Sequence, residues 1–307
     1  MAETCLVPTS DQAAIDQSSM EERLERGDVV YFPICPFLLP EGDDRRFLLE
    51  QQLGGRVHKN IGYDPRSGKA GGFLRRDAVQ AERLRSLLAG FSRTTTEWLA
   101  QTLPRYSRGW QLDRVSFRPE EEATRRLRLT ARNDLLHVDA FPSRPTNGWR
   151  ILRVFANVNL TEPRIWITSD PFAKLLERYG AEAGLPGRTS SARALSGALG
   201  RISTGMLRIF RPNRQARSDY DEFMLRFHNF LKASDEFQER CRKRFWKFPP
   251  GSAWLVITDT ASHAALRGRF ALEHSYFLAP ETLTLPDESP AAYLARACGH
   301  QVLLQAA

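Results

Sequence analysis

The chain has 307 residues, of which 42% are hydrophobic, so it can form one large domain with a sizeable core. Its formal net charge is +8, which permits an anionic partner, and only six of its 44 basic residues are lysines. No segment has the composition of a secretion signal or the roughly 18 apolar residues of a spanning helix, so we expect a cytoplasmic protein. Cys5, Cys35, Cys241 and Cys298 lack CxxC spacing, which indicates a reducing compartment and argues against a zinc ribbon.

The first third of the chain has mainly helical patterns. Residues 1–18 are polar, and we expect them to be loose. Apolar residues at helical spacing predict helices at residues 19–26, 44–53 and 77–103. A short strand is predicted at residues 29–32 and a polar, aromatic loop at residues 58–63. We therefore expect residues 19–110 to form a mainly helical layer.

The pattern changes to strands after Pro104. Strands are predicted at residues 112–118, 135–141, 150–159, 165–168, 253–258 and 270–278. Helices are predicted at residues 170–179 and 219–245 and again from Ser289, while residues 184–216, rich in Gly, Ser and Arg, resemble a loose insertion.

Strands flanked by helices, with a long insertion before the last strands, favour an α+β fold whose core is a double-stranded β-helix, or jelly roll. We expect one domain at residues 19–307, with a helical N-terminal layer, a jelly-roll core at residues 111–285 and a helical insertion at residues 184–247. Residues 286–307 would add a C-terminal helix. The alternative is an unrelated α+β fold.

The segment around His137-Val138-Asp139 carries the strongest chemical signal. Alternate residues of a strand share one face, so His137 and Asp139 would lie roughly 6–7 Å apart along the backbone and converge on one ion. A His-x-Asp pair with one distant His is the 2-His-1-carboxylate pattern of non-haem Fe(II) oxygenases, which keeps positions open for O2 and a chelating co-substrate. The tripeptide alone also occurs by chance.

Two histidines compete for the role of the distant ligand. His263 follows the apolar strand that ends at Asp259, in a predicted turn, and His274 lies on the last strand. We favour His263 because sites are commonly built where strands run into turns. The remaining histidines, His58, His228 and His300, are less suited, and His228 falls within an amphipathic helix.

A co-substrate such as 2-oxoglutarate leaves a distal carboxylate, which Arg binds in a bidentate manner. The predicted strand at residues 150–159 carries polar side chains on one face, and this face predicts a lined pocket with Arg153 and Asn157 as cofactor-binding residues. Arg150, at the start of the strand, is the reserve candidate, and Arg118 is a second candidate for binding the anion.

Residues 240–247 are dense in cations and include Phe245 and Trp246. Aromatic and basic residues together are typical of a membrane headgroup interface. A solvated helix end, favoured by the helix dipole, explains the same pattern.

The residues around these candidates resemble the bacterial Kdo hydroxylases, which are Fe(II)/2-oxoglutarate oxygenases acting on 3-deoxy-D-manno-octulosonic acid (Kdo) in lipid A precursors. The resemblance is carried by residues 137–145, 147–159, 262–266 and 271–273. It spans most of the chain from about residue 28 to 285 and is strongest at residues 135–160 and 254–278. One departure from the wider superfamily is the absence of Arg or Lys at residues 271–275, about ten residues after the distal His. The cation for 2-oxoglutarate must then come from another strand.

This resemblance implies specific chemistry. It implies iron held by His137, Asp139 and His263, 2-oxoglutarate held by Arg153 or Arg118, and hydroxylation of carbon 3 of Kdo with release of succinate and CO2. It also implies Kdo-lipid A as the partner, at the cytoplasmic face of the inner membrane, and no nucleic acid. Lys59, Asn60, Arg144 and Arg164 are the residues we expect to contact the anionic substrate.

Two alternatives stay open at the level of sequence. The chain is a 2-oxoglutarate oxygenase with another target, such as a protein side chain or a different glycan, or it is a non-catalytic module that binds an anionic glycolipid or nucleic acid. The second alternative predicts binding that is insensitive to iron chelation and depends steeply on salt.

Overall fold

The computed structural model of the protein describes residues 17–55, 59–74, 77–185 and 217–298. His58, His300 and most of the predicted insertion at residues 184–216 lie outside these ranges. Within them the helices are α1 (Gln17–Glu25), α2 (Gly42–Leu49), α3 (Ala78–Thr102), α4 (Pro104–Ser107), α5 (Phe172–Tyr179), α6 (Asp219–Ala233), α7 (Asp235–Arg240) and α8 (Pro290–Cys298).

The strands form two antiparallel sheets. They are β1 (Val30–Phe32), β2 (Ile61–Asp64), β3 (Lys69–Gly71), β4 (Gln111–Arg118), β5 (Arg150–Asn157), β6 (Arg164–Pro171), β7 (Arg244–Phe248), β8 (Ala253–Ile257), β9 (Ala261–Arg267) and β10 (Ala271–Leu278). The large sheet has the order β1-β8-β5-β10-β4-β2-β3, and the small sheet has the order β7-β6-β9. The architecture is therefore the predicted α+β jelly roll.

The helices at the N-terminal end of the chain pack against the outer face of the large sheet. Helix α3 begins at Asp77, whose carboxylate accepts a hydrogen bond from the backbone N–H of Gln80. Its apolar stripe, including Leu84, Leu88 and Phe91, is buried against Leu152 and other outward residues of the sheet. Removing apolar surface from water stabilises this layer by about 25 cal/mol for each Å² that is buried.

A second layer covers the outer face of the small sheet. Ile167 of β6 and Ala264 of β9 pack there against Phe172 of α5 and Phe227 of α6. Between the two sheets lies a smaller aromatic cluster, in which Trp254 stacks on Phe248 with ring centroids 3.9 Å apart. The space between the sheets is thus apolar at this cluster, whereas other buried side chains on the inner face of the large sheet, such as Arg153 and Glu273, are polar.

Three predicted elements differ from the structure. Residues 135–141 do not form a strand, and within them only His137 makes a β-bridge, which pairs it with His263. His263 lies within strand β9 and not in a turn after a strand. The predicted helix at residues 219–245 is divided into α6 and α7, because the backbone leaves the helical region at Ser234.

Most of the basic stretch at residues 240–247 is also not a helix end. Its second half is strand β7, in which buried and exposed residues alternate and Trp246 and Phe248 point inward. Phe245 is 58% exposed. The interpretation as a solvated helix end therefore fits only Arg240, the exposed last residue of α7, and is wrong for residues 244–247. The hairpin of β2 and β3 was likewise not predicted, since only a loop was expected at residues 58–63.

Candidate active site

Two histidines are held side by side by backbone pairing. The N–H of His137 donates to the carbonyl of His263 at 3.2 Å, and the N–H of His263 donates to the carbonyl of His137 at 2.9 Å. Residues directly opposite in such a pair have neighbouring side chains, and here the ring centroids are 4.8 Å apart. The neighbours Leu136 and Val138 are buried in the outer apolar layer, as alternation requires.

Asp139 completes the predicted set of ligands. Its N–H donates to the carbonyl of Thr258 at 2.8 Å, which fixes the backbone. One carboxylate oxygen, Oδ1, lies 3.6 Å from Nε2 of His137, and the other, Oδ2, lies 2.8 Å from Nη2 of Arg153. Burial alone raises the pKa of Asp139, but Arg153 and His137 outweigh it and hold the pKa well below its usual range. Asp139 is therefore an anion, the form that binds a metal.

The two histidines are oriented for metal binding by their own backbone. Nδ1 of His137 lies 2.6 Å from the carbonyl of Leu135, and Nδ1 of His263 lies 2.9 Å from the carbonyl of Ala261. A carbonyl can only accept, so each Nδ1 carries the proton and each Nε2 keeps a lone pair. Burial lowers the pKa of both imidazoles, which keeps them neutral near pH 7.

His228 is a fourth group at this site, and sequence reasoning missed it. It comes from helix α6, and its ligand atoms lie within 4.8 Å of those of His137 and Asp139. Its Nδ1 lies 2.7 Å from the carbonyl of Val138, and burial lowers its pKa to about 4. The sequence contained one signal, since His228 and Lys232 are buried polar residues four positions apart on an otherwise apolar helix face.

His274, the competing candidate, lies on the opposite face of the large sheet. Its Nδ1 is 2.5 Å from the hydroxyl of Tyr276, and burial lowers its pKa to about 3. Tyr276 belongs to the core under helix α3, and it also contacts Thr96 at 2.9 Å. His274 is therefore part of the helix–sheet interface and is remote from the ligand set.

A chain of charged side chains runs from Asp139 across the inner face of the large sheet. Arg153 contacts Glu273 at 2.5 Å through Nη1, and Arg118 donates to the same carboxylate at 2.9 and 2.5 Å. Burial alone raises the pKa of Glu273, but the two arginines lower it to about 2. Arg118 also approaches Glu122 at 3.6 Å. Arg153 and Arg118 therefore lie together beside the ligand set.

The other two predicted cofactor-binding residues have structural partners instead. Arg150 points to the opposite face of strand β5, where it is fully buried and pairs with Asp259 at 2.7 Å. The side chain of Asn157 donates to the carbonyls of Glu162 and Phe248 at 3.0 and 2.9 Å. Neither contacts the ligand set. Strand alternation directs Arg150 to the other face, and Asn157 is held by backbone carbonyls.

The four predicted substrate-binding residues do not lie together. Lys59 donates to the carbonyl of Ala131 at 2.7 Å, and Oδ1 of Asn60 is a buried acceptor without a partner among the described residues. Arg144 pairs with Asp113 and lies over the ring of Phe141 at 4.4 Å. Arg164 is fully buried and donates to Glu122 at 3.0 Å, so it cannot contact a ligand from the surface.

The residues present fit a divalent iron and an α-keto acid. Nε of Arg153 is a buried donor without a hydrogen bond in the described part of the chain, and Oδ2 of Asp139 has only its ion pair with Nη2 of Arg153. Two neutral imidazoles and one carboxylate form the donor set that iron prefers in oxygenases. A ligand carboxylate beside Arg153 would satisfy the orphaned donor.

Comparison with known proteins gives a consistent result. The family model described as 3-deoxy-D-manno-oct-2-ulosonic acid (Kdo) hydroxylase matches residues 8–301. The solved structure of the Kdo hydroxylase KdoO, a non-haem Fe(II) α-ketoglutarate-dependent dioxygenase, in complex with α-ketoglutarate and Fe(III), is 31% identical, with a TM-score of 0.79 over 93% of this chain and 90% of that chain. The cobalt(II) complex is 32% identical, with a TM-score of 0.81 over 95% and 93%. No curated protein sequence matches the chain.

Proposed function

The chain belongs to the Kdo hydroxylase family and is an Fe(II)/2-oxoglutarate-dependent dioxygenase that hydroxylates Kdo, and we propose that His137, Asp139 and His263 bind its iron. We also propose that the new hydroxyl group is placed on carbon 3 of Kdo in Kdo-lipid A. The observation that carries the assignment of ligands is the reciprocal backbone pairing of His137 with His263 beside an ionised Asp139.

The choice of His263 over His228 rests on where each side chain originates. His263 lies in strand β9 of the small sheet and His137 forms a bridge to it, so their separation is fixed by hydrogen bonds. The ring of Trp166 stacks on His263 with centroids 5.3 Å apart and an interplanar angle of 19°, which limits rotation of the imidazole. His228 reaches the site from helix α6, which packs against the small sheet through side chains such as Phe227. Rigid strand positions hold a metal ligand more precisely.

Bound iron and 2-oxoglutarate together activate O2 to replace a C–H bond by C–OH, with release of succinate and CO2. The contribution of this chain is to bind, orient and exclude water. We propose that Arg153 and Arg118 hold the distal carboxylate of 2-oxoglutarate, because both are buried beside Asp139 and guanidinium groups bind carboxylates in a bidentate manner. Glu273 keeps the two guanidinium groups in place and offsets part of their charge.

Kdo-lipid A is anionic, and we propose that Lys59, Asn60 and Arg144 contact it. Arg164 would act only indirectly, through Glu122. Peripheral contact with the anionic inner surface of the cytoplasmic membrane is supported by one exposed turn, in which Leu129 is 45% exposed beside the exposed Arg126 and Arg128. Among the described residues no helix has the length and apolar character needed to cross a membrane.

The test is succinate release by the Fe(II)-loaded protein with 2-oxoglutarate, with and without Kdo-lipid A, followed by mass spectrometry of the lipid. We expect stimulated succinate release and a gain of one oxygen on Kdo. His137→Ala and Asp139→Ala should abolish both signals, whereas the matched control His274→Ala should keep them. Succinate release without oxidation of the lipid would point to another target, and a wild-type rate in either ligand variant would refute the ligand set.

A further inference from the structure

Two lysines donate to the carbonyl groups of two consecutive residues near the site. Lys59 donates to the carbonyl of Ala131 at 2.7 Å, and Lys232 donates to the carbonyl of the preceding residue, Thr130, at 3.3 Å. Lys59 precedes strand β2, and Lys232 comes from helix α6, so the two ammonium groups are brought together from distant parts of the chain. We call them the lysine pair.

The lysine pair differs from the arginines around it. Arg118, Arg125, Arg153 and Arg164 each form an ion pair with Glu or Asp. Neither lysine forms an ion pair with any carboxylate of the described residues, although the side chain of Lys232 is almost wholly buried. Burial lowers the pKa of Lys232, whereas the charges of Asp139 and Asp134 raise it without forming an ion pair with it, so a direct ionic contact is left for the carboxylate of a ligand. Burying a cation without such a contact is costly. Each ammonium also has two donors left after its carbonyl bond.

Several observations place the lysine pair close to the iron ligands. Lys232 lies one helical turn after His228, whose ligand atoms are within 4.8 Å of those of His137 and Asp139. Burial lowers the pKa of His137, His228 and His263, and the charge of Lys232 lowers each pKa further. Burial also lowers the pKa of both lysines to about 8, so they remain mostly charged at pH 7.

The proposed reaction at carbon 3 requires such a cation. Kdo is an acid, and its carboxyl carbon is two bonds from carbon 3, hence about 2.5 Å away from it. The carboxylate must therefore enter the site together with the carbon that reacts. Arg153 and Arg118 are assigned to the co-substrate and are already paired with Glu273. Compact ammonium groups with free donors suit a carboxylate surrounded by sugar hydroxyls.

We infer that Lys59 and Lys232 form a carboxylate subsite that receives the carboxylate of Kdo and thereby places carbon 3 over the iron. This inference rests on the proposed function. It adds Lys232, a residue of the helical insertion, to the machinery that positions the substrate. The carboxylate of 2-oxoglutarate has the same chemistry and is the competing source.

The experiment compares Lys59→Met and Lys232→Met with the control Lys174→Met, which changes a lysine that is 70% exposed on helix α5. The substrates are Kdo-lipid A and the same lipid with the Kdo carboxylate converted to its methyl ester. Binding of 2-oxoglutarate is measured separately, without O2, from the charge-transfer absorption of its Fe(II) complex. Thermal unfolding reports whether each variant is folded.

In each lysine variant the KM for Kdo-lipid A should rise by roughly tenfold or more, as expected for loss of a hydrogen bond to a charged group, with 2-oxoglutarate affinity unchanged. The wild type should discriminate against the methyl ester by a similar factor, and the variants should not. Lys59→Met, at a partly exposed position, keeps the test decisive if Lys232→Met does not fold.

Three results would overturn the inference or part of it. Wild-type KM values and undiminished discrimination against the ester in both variants would refute the subsite. Weaker 2-oxoglutarate binding with unchanged KM for the lipid would assign the lysine pair to the co-substrate and refute the assignment to Kdo. A wild-type protein that releases succinate without oxidising Kdo would instead refute the proposed function.

Discussion

Two buried clusters of arginine and carboxylate lie on opposite faces of strand β5, and only one of them is open to a ligand. On the outer face, Arg150 is paired with Asp259, whose carboxylate also accepts from the N–H of Ile151 at 3.1 Å. On the inner face, Arg153 shares its donors between Asp139 and Glu273. The outer cluster balances one cation with one anion, whereas the inner cluster continues into Arg118 and the unpaired lysines.

The difference shows that a buried ion pair can have a structural role, whereas a buried cluster with excess cations can bind a ligand. A closed pair contributes to the architecture, and breaking it is expensive because the remaining charge stays buried. An open cluster with an excess of cations attracts anions from solution. One unsatisfied donor does not separate the two clusters, because Nε of Arg153 and Nη1 of Arg150 both lack a hydrogen bond among the described residues. The variants described below test this distinction, beginning with the metal ligands that the open cluster adjoins.

The largest effect is expected from His263→Ala, compared with His228→Ala. Loss of a residue that only hydrogen-bonds a metal ligand lowers metal affinity by up to roughly 100-fold, so loss of the ligand His263 should lower Co(II) affinity by more than that. In His228→Ala the Co(II) affinity should stay within about tenfold of the wild type. Isothermal titration of the metal-free protein with Co(II) measures both affinities. The reverse ranking would make His228 the ligand.

Arg150→Met should be the most destabilising of the arginine variants. It leaves Asp259 buried without its partner, which typically costs about 3–5 kcal/mol in the free energy of unfolding. Urea unfolding of the metal-free protein measures this loss. The affinity of the remaining folded protein for 2-oxoglutarate should match the wild type, and a reduced affinity would move the co-substrate role to Arg150.

Arg153→Met should give the complementary result. In this variant Glu273 keeps Arg118 as a partner and Asp139 keeps His137 beside it, so we expect a smaller loss of stability than in Arg150→Met. The concentration of 2-oxoglutarate required for half-maximal succinate release should rise by roughly tenfold or more, because a charged hydrogen bond is lost. An unchanged requirement would exclude Arg153 from co-substrate binding.

The smallest effect is expected from His274→Gln, on the closed side of the sheet. Burial lowers the pKa of His274 from 6.5 to about 3, so the unfolded chain binds a proton that the folded chain does not as the pH falls below 6.5. The wild type should therefore lose about 1.4 kcal/mol of stability per pH unit from this group between those values. Urea unfolding at pH 7.5 and pH 5 should show a smaller acid loss in the variant, and an equal loss would contradict the burial of a neutral His274.

The sequence predicted those parts of the site in which local pattern and tertiary structure agree. The polar and apolar faces of residues 150–159 follow from alternation, and the structure places Arg153 and Leu152 on opposite faces as expected. Alternation also separates Arg150 from Arg153, because an even and an odd position of a strand point in opposite directions. This distinction was available from the sequence and was not used.

Other parts required tertiary information. Strand β9 consists mainly of small residues with weak strand preference, and it is a strand because β6 pairs with it and His137 bridges to it. The position of His228 depends on how helix α6 packs against the small sheet, which the helical pattern does not encode. The residues of strand β7 have an alternating pattern, but the helix predicted at residues 219–245 extended into them, so no strand was predicted there.

The hydrogen bonds that fix the ligand histidines have a consequence for the evolution of this site. The acceptors for His137 and His263 are the carbonyls of Leu135 and Ala261, two residues earlier in each case. A backbone carbonyl is present whatever side chain occupies the position, so no single substitution deletes either acceptor. The surrounding pocket can therefore accumulate mutations and adapt to new sugars while Nδ1 of each histidine keeps its proton and Nε2 keeps its lone pair.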